Sequence, residues 1–214
     1  MHQFHLPRVY ALTDVQLSGL SHAEQVEWLS VGGASLIQLR EKRMPALEFY
    51  EQAKAAVNVA GRNGVQLIIN DRVDVAIAVG ADGVHLGQDD LPADAARKLL
   101  GPAAIVGYST HNIDQALEAV KLPIDYLAIG PIFPTNTKSD TAPVLGLDGL
   151  TAVRRAIGDF PLVAIGGLTH RNARAAIEAG ADSVAVISAL LSNPDSIAEM
   201  TRSLLQSLPN HCQT

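Results

Sequence analysis

With 214 residues, 48% of them hydrophobic and only 4% aromatic, the chain is expected to fold as one domain over residues 1–214 around an aliphatic core. A formal charge of −6 and a pI near 5.6 argue against a general nucleic-acid or anionic-membrane binder, because phosphate surfaces need a cationic partner, and leave room only for a local basic pocket. The single cysteine, Cys212, excludes an internal disulfide and a cysteine-based metal cluster, and no apolar run nears the roughly 20 residues that span a bilayer.

Along the chain, the segment from Met1 to Arg8 lacks an apolar stretch of signal-peptide length, so a cytoplasmic location is expected. Eight short aliphatic runs then read as strands: Val9–Leu12, Ser35–Arg40, Gln66–Ile69, Gly83–Leu86, Ala104–Tyr108, Tyr126–Gly130, Leu162–Gly166 and Ser183–Ile187. They are little interrupted by polar residues, as strands covered on both faces should be. Between them lie stretches of helical periodicity, such as Ala46–Arg62 and Arg171–Ala179. Three related phrases, Gly32-Gly33-Ala34-Ser35, Gly80-Ala81-Asp82-Gly83 and Gly180-Ala181-Asp182-Ser183, sit where a helix ends in a left-handed glycine and the next strand begins. Repeated strand-then-helix units with right-handed crossovers make a parallel sheet. Both an open doubly wound sheet and a closed barrel fit that alternation. About eight units in this length favour a single (β/α)8 TIM barrel. No Gly-x-Gly-x-x-Gly follows the first strand, which weakens a dinucleotide-binding reading.

The strand ends carry the chemistry. Period-two alternation after the second strand places Gln38, Arg40 and Lys42 on one face and Leu39 and Glu41 on the other. Buried cations need anionic partners. These are either carboxylates on adjacent strands or a bound polyanion, whose phosphate oxygens Arg40 would grip as a fork. The third and fourth strands run into Asp71 and Asp90. A lone aspartate here is commonly a helix N-cap. Two of them at one end of neighbouring parallel strands suit a hard divalent cation, most plausibly Mg2+, which takes few carboxylates plus substrate phosphate oxygens. The fifth strand delivers Ser109 to the same rim, followed by His111, a general base or a packing histidine. His85, inside a strand, reads as a buried residue with its polar needs met. The loop after the sixth strand carries Thr135, Asn136, Thr137 and Lys138, which suit a phosphate or simply a solvated loop. Gly167 and the Ile187-Ser188 step follow the seventh and eighth strands, where barrels of this kind often bind phosphate through backbone N–H groups.

Taken in register, Gln38-Leu39-Arg40-Glu41-Lys42, Asn70-Asp71-Arg72, Ala81 through Asp90, Gly107-Tyr108-Ser109-Thr110-His111, Gly130 through Lys138 and Ala164-Ile165-Gly166-Gly167 resemble the thiamine-phosphate synthase family over nearly the whole chain. The resemblance implies a transferase of thiamine biosynthesis that joins hydroxymethylpyrimidine diphosphate to a thiazole phosphate, releasing pyrophosphate. It implies that Gln38, Leu39, Arg40, Glu41, Lys42 and Asn70 hold the pyrimidine diphosphate, and that Asp71 and Asp90 hold Mg2+. Ser109 and Lys138 would contact the pyrimidine substrate. Thr135, Asn136, Thr137, Gly167, Ile187 and Ser188 would hold the thiazole phosphate. Arg40, Lys42, Lys138 and Ser109 would be the catalytic set. Two other readings stay open: a thiazole tautomerase relative using His111 as a proton shuttle, and a non-enzymatic sensor of a phosphate ligand.

Overall fold

The structure, a computed structural model, describes residues 4–135 and 142–209. Strands and helices alternate as β1 (Val9–Leu12), α1 (Val15–Ser18), α2 (His22–Val31), β2 (Leu36–Leu39), α3 (Ala46–Asn63), β3 (Gln66–Asn70), α4 (Val73–Val79), β4 (Gly83–Leu86), α5 (Ala93–Leu100), β5 (Ile105–Thr110), α6 (Ile113–Ala119), β6 (Tyr126–Ile129), α7 (Gly146–Ile157), β7 (Leu162–Ile165), α8 (Ala173–Glu178), β8 (Ser183–Val186), α9 (Ser188–Leu191) and α10 (Ile197–Ser207). The strands are parallel, pair in chain order and close into a barrel, with Val9 of β1 opposite Val184 of β8. Each predicted run carries a strand. The predicted helix over 171–179 is shorter, because the Asn172 side chain is occupied at its start: its amide donates to the Gly167 carbonyl (3.0 Å) and accepts from the Thr169 N–H (2.7 Å).

Alternation along each strand sorts the core into two shells. Tyr10, Leu12, Leu36, Ile68, Tyr126, Val163 and Ala185 fill the barrel, and Leu6 with the partly buried Phe4 joins them ahead of β1. Val9, Ala11, Ile37, Leu39, Ile69 and Val84 face outward into a second layer under the helices. Helix α3 meets that layer with Phe49, Ala53, Ala56 and Ala60, spaced as one face of a helix. Burying a side chain the size of Phe49 contributes about 1.5–3 kcal/mol. Helix α2 starts with a capping box in which Ser21 and Glu24 exchange bonds with each other's backbone N–H. Helix α4 ends at Gly80, whose φ of 69° is the left-handed cap expected there. In the first of the three related phrases the positive angle falls on Gly33 instead of Gly32.

Three aspartates stitch the N-terminal ends of the strands. Asp82, Asp125 and Asp182 each precede an even-numbered strand, and each carboxylate accepts a backbone N–H at the start of the strand before: Leu67 (2.7 Å), Val106 (2.7 Å) and Leu162 (2.8 Å). The same residues return the bond, their own N–H groups donating to the carbonyls of Leu67, Val106 and Leu162. Arg97 and Arg154 back two of these clamps, pairing with Asp125 and Asp182 while donating to nearby loop carbonyls such as Pro123 and Phe160. Among the described residues no helix is long and apolar enough to cross a membrane.

Candidate active site

Two adjoining hollows open at the C-terminal ends of the strands. The polar one is lined by Gln38, Arg40, Lys42, Asn70, Asp71, Gln88, Asp89 and Asp90. The more apolar one is lined by Gly130, Pro131, Thr135, Gly166, Gly167, Leu168 and Ser188. Ser109, His111, Ile165 and Ile187 line both, so the hollows share a wall.

In the polar hollow, β2 ends at Leu39 and the chain turns over the rim. Gln38 points into the barrel, where its amide donates to the Tyr10 hydroxyl (2.9 Å). Arg40 pairs with Asp14 at 3.2 Å, and Lys42 pairs with Asp71. Each cation thus has a carboxylate partner on a neighbouring loop, as the salt-bridge alternative required, and both still line the hollow. Leu39 lies in the outer core, so its side chain faces away from the site. The Glu41 carboxylate folds back on its own loop and accepts from the N–H groups of Lys42 (2.7 Å), Arg43 (2.7 Å) and Met44 (3.2 Å).

Neither strand-end aspartate is a helix N-cap. Arg72 stands at the N-cap of α4 and Pro92 at that of α5, neither with a side-chain capping bond to the helix backbone. Asp71 has a φ of 62°, the left-handed region that non-glycine residues avoid, at a cost of about 1–2 kcal/mol. Burial pushes its carboxyl up; Lys42 pulls the other way, and the neighbouring Asp90 carboxylate adds to the rise. Asp90 itself accepts the Gly87 N–H at 2.6 Å, which fixes the turn after β4. Two carboxylates facing one another beside a single ammonium fit a hard divalent cation whose remaining ligands are substrate oxygens. Asn70 lines the same hollow, and its buried amide nitrogen has no hydrogen-bond partner, so it keeps an unused donor beside the site.

Beneath the rim, a set of polar groups runs across the barrel. His85 lies between the Tyr126 hydroxyl (3.0 Å at Nδ1) and Ser109 (2.8 Å at Nε2), and Tyr126 meets Tyr10 at 2.8 Å. Burial raises the pKa of both phenols, which keeps them neutral. Gly107 makes the space for this group, since a Cβ there would lie 2.0 Å from the Tyr126 ring. His85 is therefore a buried, hydrogen-bonded histidine, as its place in a strand suggested. The tyrosines escaped sequence reasoning. Their only signal was an aromatic residue at an inward position of an otherwise aliphatic strand.

In the apolar hollow, Gly167 has a φ of 64°, and a Cβ there would lie 2.5 Å from the Pro134 carbonyl oxygen and 2.7 Å from that of Phe133. Glycine is thus demanded by the packing of this loop on the segment after β6. Ser188 opens the short helix α9 after β8, next to Gly167 and Thr135 in the lining. His111 is held by the Gly130 carbonyl, 2.7 Å from Nδ1, which places the imidazole proton on that nitrogen. Asn136, Thr137 and Lys138 lie outside the described residues, as does Cys212.

This geometry can be set beside known proteins. The thiamine monophosphate synthase family model matches residues 9–190. A thiamine-phosphate synthase of Chloroflexus aurantiacus is 49% identical over 189 residues, covering 88% of this chain and 87% of that protein. One from Clostridium novyi is 44% identical and covers 88% and 92%. The solved structure of a thiamine phosphate pyrophosphorylase from Pyrococcus furiosus superposes with a TM-score of 0.84 at 38% identity, covering 94% of each chain. Sequence, barrel and site lead to one conclusion: the chain belongs to the thiamine-phosphate synthase family of barrel transferases.

Proposed function

We propose that this chain, acting as a single barrel domain in the cytoplasm, joins hydroxymethylpyrimidine diphosphate to a thiazole phosphate, with pyrophosphate leaving. The observation that carries this reading is the pair of hollows sharing Ser109 and His111, one rimmed by cations and paired carboxylates, the other by glycine-rich backbone. A diphosphate fits the first and a phosphate monoester the second, so the two reacting centres meet at the shared wall.

The step is a substitution at carbon. The bond between the pyrimidinylmethyl carbon and the bridging diphosphate oxygen breaks, and both electrons leave with pyrophosphate. The electron-rich aminopyrimidine stabilises the cation left behind. The thiazole nitrogen then donates its lone pair to form the new C–N bond. Arg40, Lys42 and Lys138 neutralise charge that grows on the leaving group, and preorganised charge of this kind is the largest catalytic contribution in most sites. Asp71 and Asp90 would hold Mg2+, which when bound supplies further neutralisation to the pyrophosphate oxygens. Gln38, Asn70 and Ser109 orient the pyrimidine diphosphate from the barrel interior. Thr135, Asn136, Thr137, Gly167, Ile187 and Ser188 hold the thiazole phosphate, so that both reactants are fixed for in-line capture. No protein nucleophile is required. Neither nucleic acid nor membrane enters this reading, in keeping with the acidic net charge.

Incubation of the purified chain with both substrates and Mg2+, following pyrophosphate and thiamine phosphate, tests the proposal. Equal amounts of the two products support it. Pyrophosphate without a coupled product would show hydrolysis instead and overturn it.

A further inference from the structure

Glu41 sits between the two cations of the polar hollow, yet it does not line that hollow. Its carboxylate is only 10% exposed and turns toward the barrel wall. One oxygen accepts three successive N–H groups, those of Lys42, Arg43 and Met44. The other lies 3.7 Å from Nε2 of His22, a fully buried side chain on α2 whose Nε2 has no hydrogen-bond partner. On its far side His22 meets the Thr13 hydroxyl at 2.7 Å. The Thr13 oxygen in turn accepts the Arg40 N–H at 3.2 Å.

These contacts form a circuit that leaves the chain at Arg40, passes through Thr13, His22 and Glu41, and returns at Lys42. Its proton arrangement follows from charge. Thr13 has one hydroxyl hydrogen and two acceptors, His22 Nδ1 at 2.7 Å and the Gln38 carbonyl at 3.3 Å. Directed at Nδ1, it places the His22 proton on Nε2, facing the Glu41 carboxylate. The opposite tautomer would set a nitrogen lone pair against that carboxylate. The circuit therefore clips both ends of the segment Arg40 to Lys42 to one buried scaffold.

We propose that Glu41, with His22 and Thr13 behind it, is a positioning residue that sets Arg40 and Lys42 at the spacing a diphosphate needs and touches neither substrate nor metal. This inference rests on the assignment of the polar hollow to the diphosphate. It also explains why a carboxylate sits in a segment that otherwise binds an anion: its charge is spent on three N–H groups facing away from the site.

Three variants, Glu41→Ala, Glu41→Gln and Arg40→Ala, test it by steady-state kinetics for each substrate and by the Mg2+ concentration giving half-maximal rate. Glu41→Ala removes the acceptor of all three N–H groups, and the KM for the pyrimidine diphosphate is expected to rise about ten-fold or more while that for the thiazole phosphate stays within about two-fold. Glu41→Gln keeps a carbonyl oxygen for the same groups. Its amide N–H faces His22, which can exchange tautomers and accept it, so kcat/KM and the Mg2+ requirement should stay within about three-fold of the parent. A folded Glu41→Gln as impaired as Glu41→Ala, or one needing more Mg2+, would show a direct role for the charge and overturn the proposal. So would an unimpaired Glu41→Ala. If Glu41→Ala does not fold, the Glu41→Gln result decides alone. Arg40→Ala separates the two levels: an unchanged KM for the diphosphate would sink the assignment of the hollow itself, whereas an impaired Arg40→Ala beside an unimpaired Glu41→Ala would remove Glu41 only.

Discussion

Lys42, on the loop after β2, is ion-paired with Asp71 at the end of β3, so one carboxylate serves a cation and faces Asp90 at the same time. Both cations of the described rim have carboxylate partners before any substrate arrives, with Arg40 likewise held by Asp14, and Asp89 and Asp90 leave it net acidic. On the proposed function, an incoming diphosphate with its metal would exchange partners within a ready-made set of charges. Side chains held in place lose less conformational freedom on binding than free ones would.

Asp71 combines this role with a strained backbone, and the two can be separated by mutation. Asp71→Ala and Asp90→Ala should each lower kcat/KM at least about a hundred-fold, since metal-assisted neutralisation is worth several kcal/mol. Asp71→Gly should be as inactive as Asp71→Ala and yet more stable than it by about 1 kcal/mol, because glycine takes a φ of 62° without penalty. Thermal melts of the two variants check the second claim. Full activity of the parent in EDTA would defeat the first.

Arg40→Ala and Gly167→Ala should split the two substrates. Loss of a charge-assisted contact at Arg40 costs about 1.5–3 kcal/mol, or roughly ten- to a hundred-fold, in use of the pyrimidine diphosphate. At Gly167 an added Cβ presses on the carbonyls of Phe133 and Pro134, which displaces the segment leading to Thr135. The KM for the thiazole phosphate should then rise, with some loss of melting temperature. Equal effects of both variants on both substrates would contradict the division into two hollows.

His111 should contribute little to the chemical step. Its Nδ1–H is engaged by the Gly130 carbonyl, and the thiazole nitrogen has no proton to lose before attack. A general base contributes about 10²–10⁴-fold where one is needed. His111→Asn, whose amide N–H replaces the Nδ1 donor, should fall well short of that loss. A folded variant that binds both substrates and turns over thousands of times more slowly would restore a proton shuttle to the site.

His22 should make the fold acid-sensitive. Burial pushes its pKa from 6.5 down to about 4, against the opposing pull of Glu41 and Asp14. Between those values the unfolded chain takes up a proton that the folded chain refuses. Stability from this group is therefore complete above about pH 6.5 and is lost as pH falls toward 4, by on the order of 3 kcal/mol. Urea unfolding at pH 7 and pH 4.5 should show a smaller drop in His22→Asn than in the parent. An equal drop would place the acid sensitivity elsewhere.

The barrel was legible because its strands are uninterrupted aliphatic runs separated by helical periodicity, two signals that do not depend on distant residues. The polar rim was legible for the same local reason: Gln38, Arg40 and Lys42 alternate, and Asp71 and Asp90 follow strands β3 and β4. What lay beyond reach were relations between segments. Nothing near Glu41 in the sequence shows that its carboxylate turns back to meet His22. Nothing around Tyr10 indicates that Tyr126 meets it across the barrel, 116 residues away. The reason for Gly167 was also hidden, because the backbone it must avoid belongs to Phe133 and Pro134.

The aspartate clamps bear on how such a barrel closes. Asp82, Asp125 and Asp182 reach only 15, 19 and 20 residues back along the chain, so each joins two strands across a short stretch of sequence, one helix long, with little closure entropy to overcome. The junction between β8 and β1 has no such local partner. There Arg8 donates to the Asp182 carbonyl across 174 residues and to Pro209 across 201. Three of the strand pairs, β3–β4, β5–β6 and β7–β8, are thus zipped locally, whereas the seam between β8 and β1 is drawn shut by the long-range bonds of Arg8.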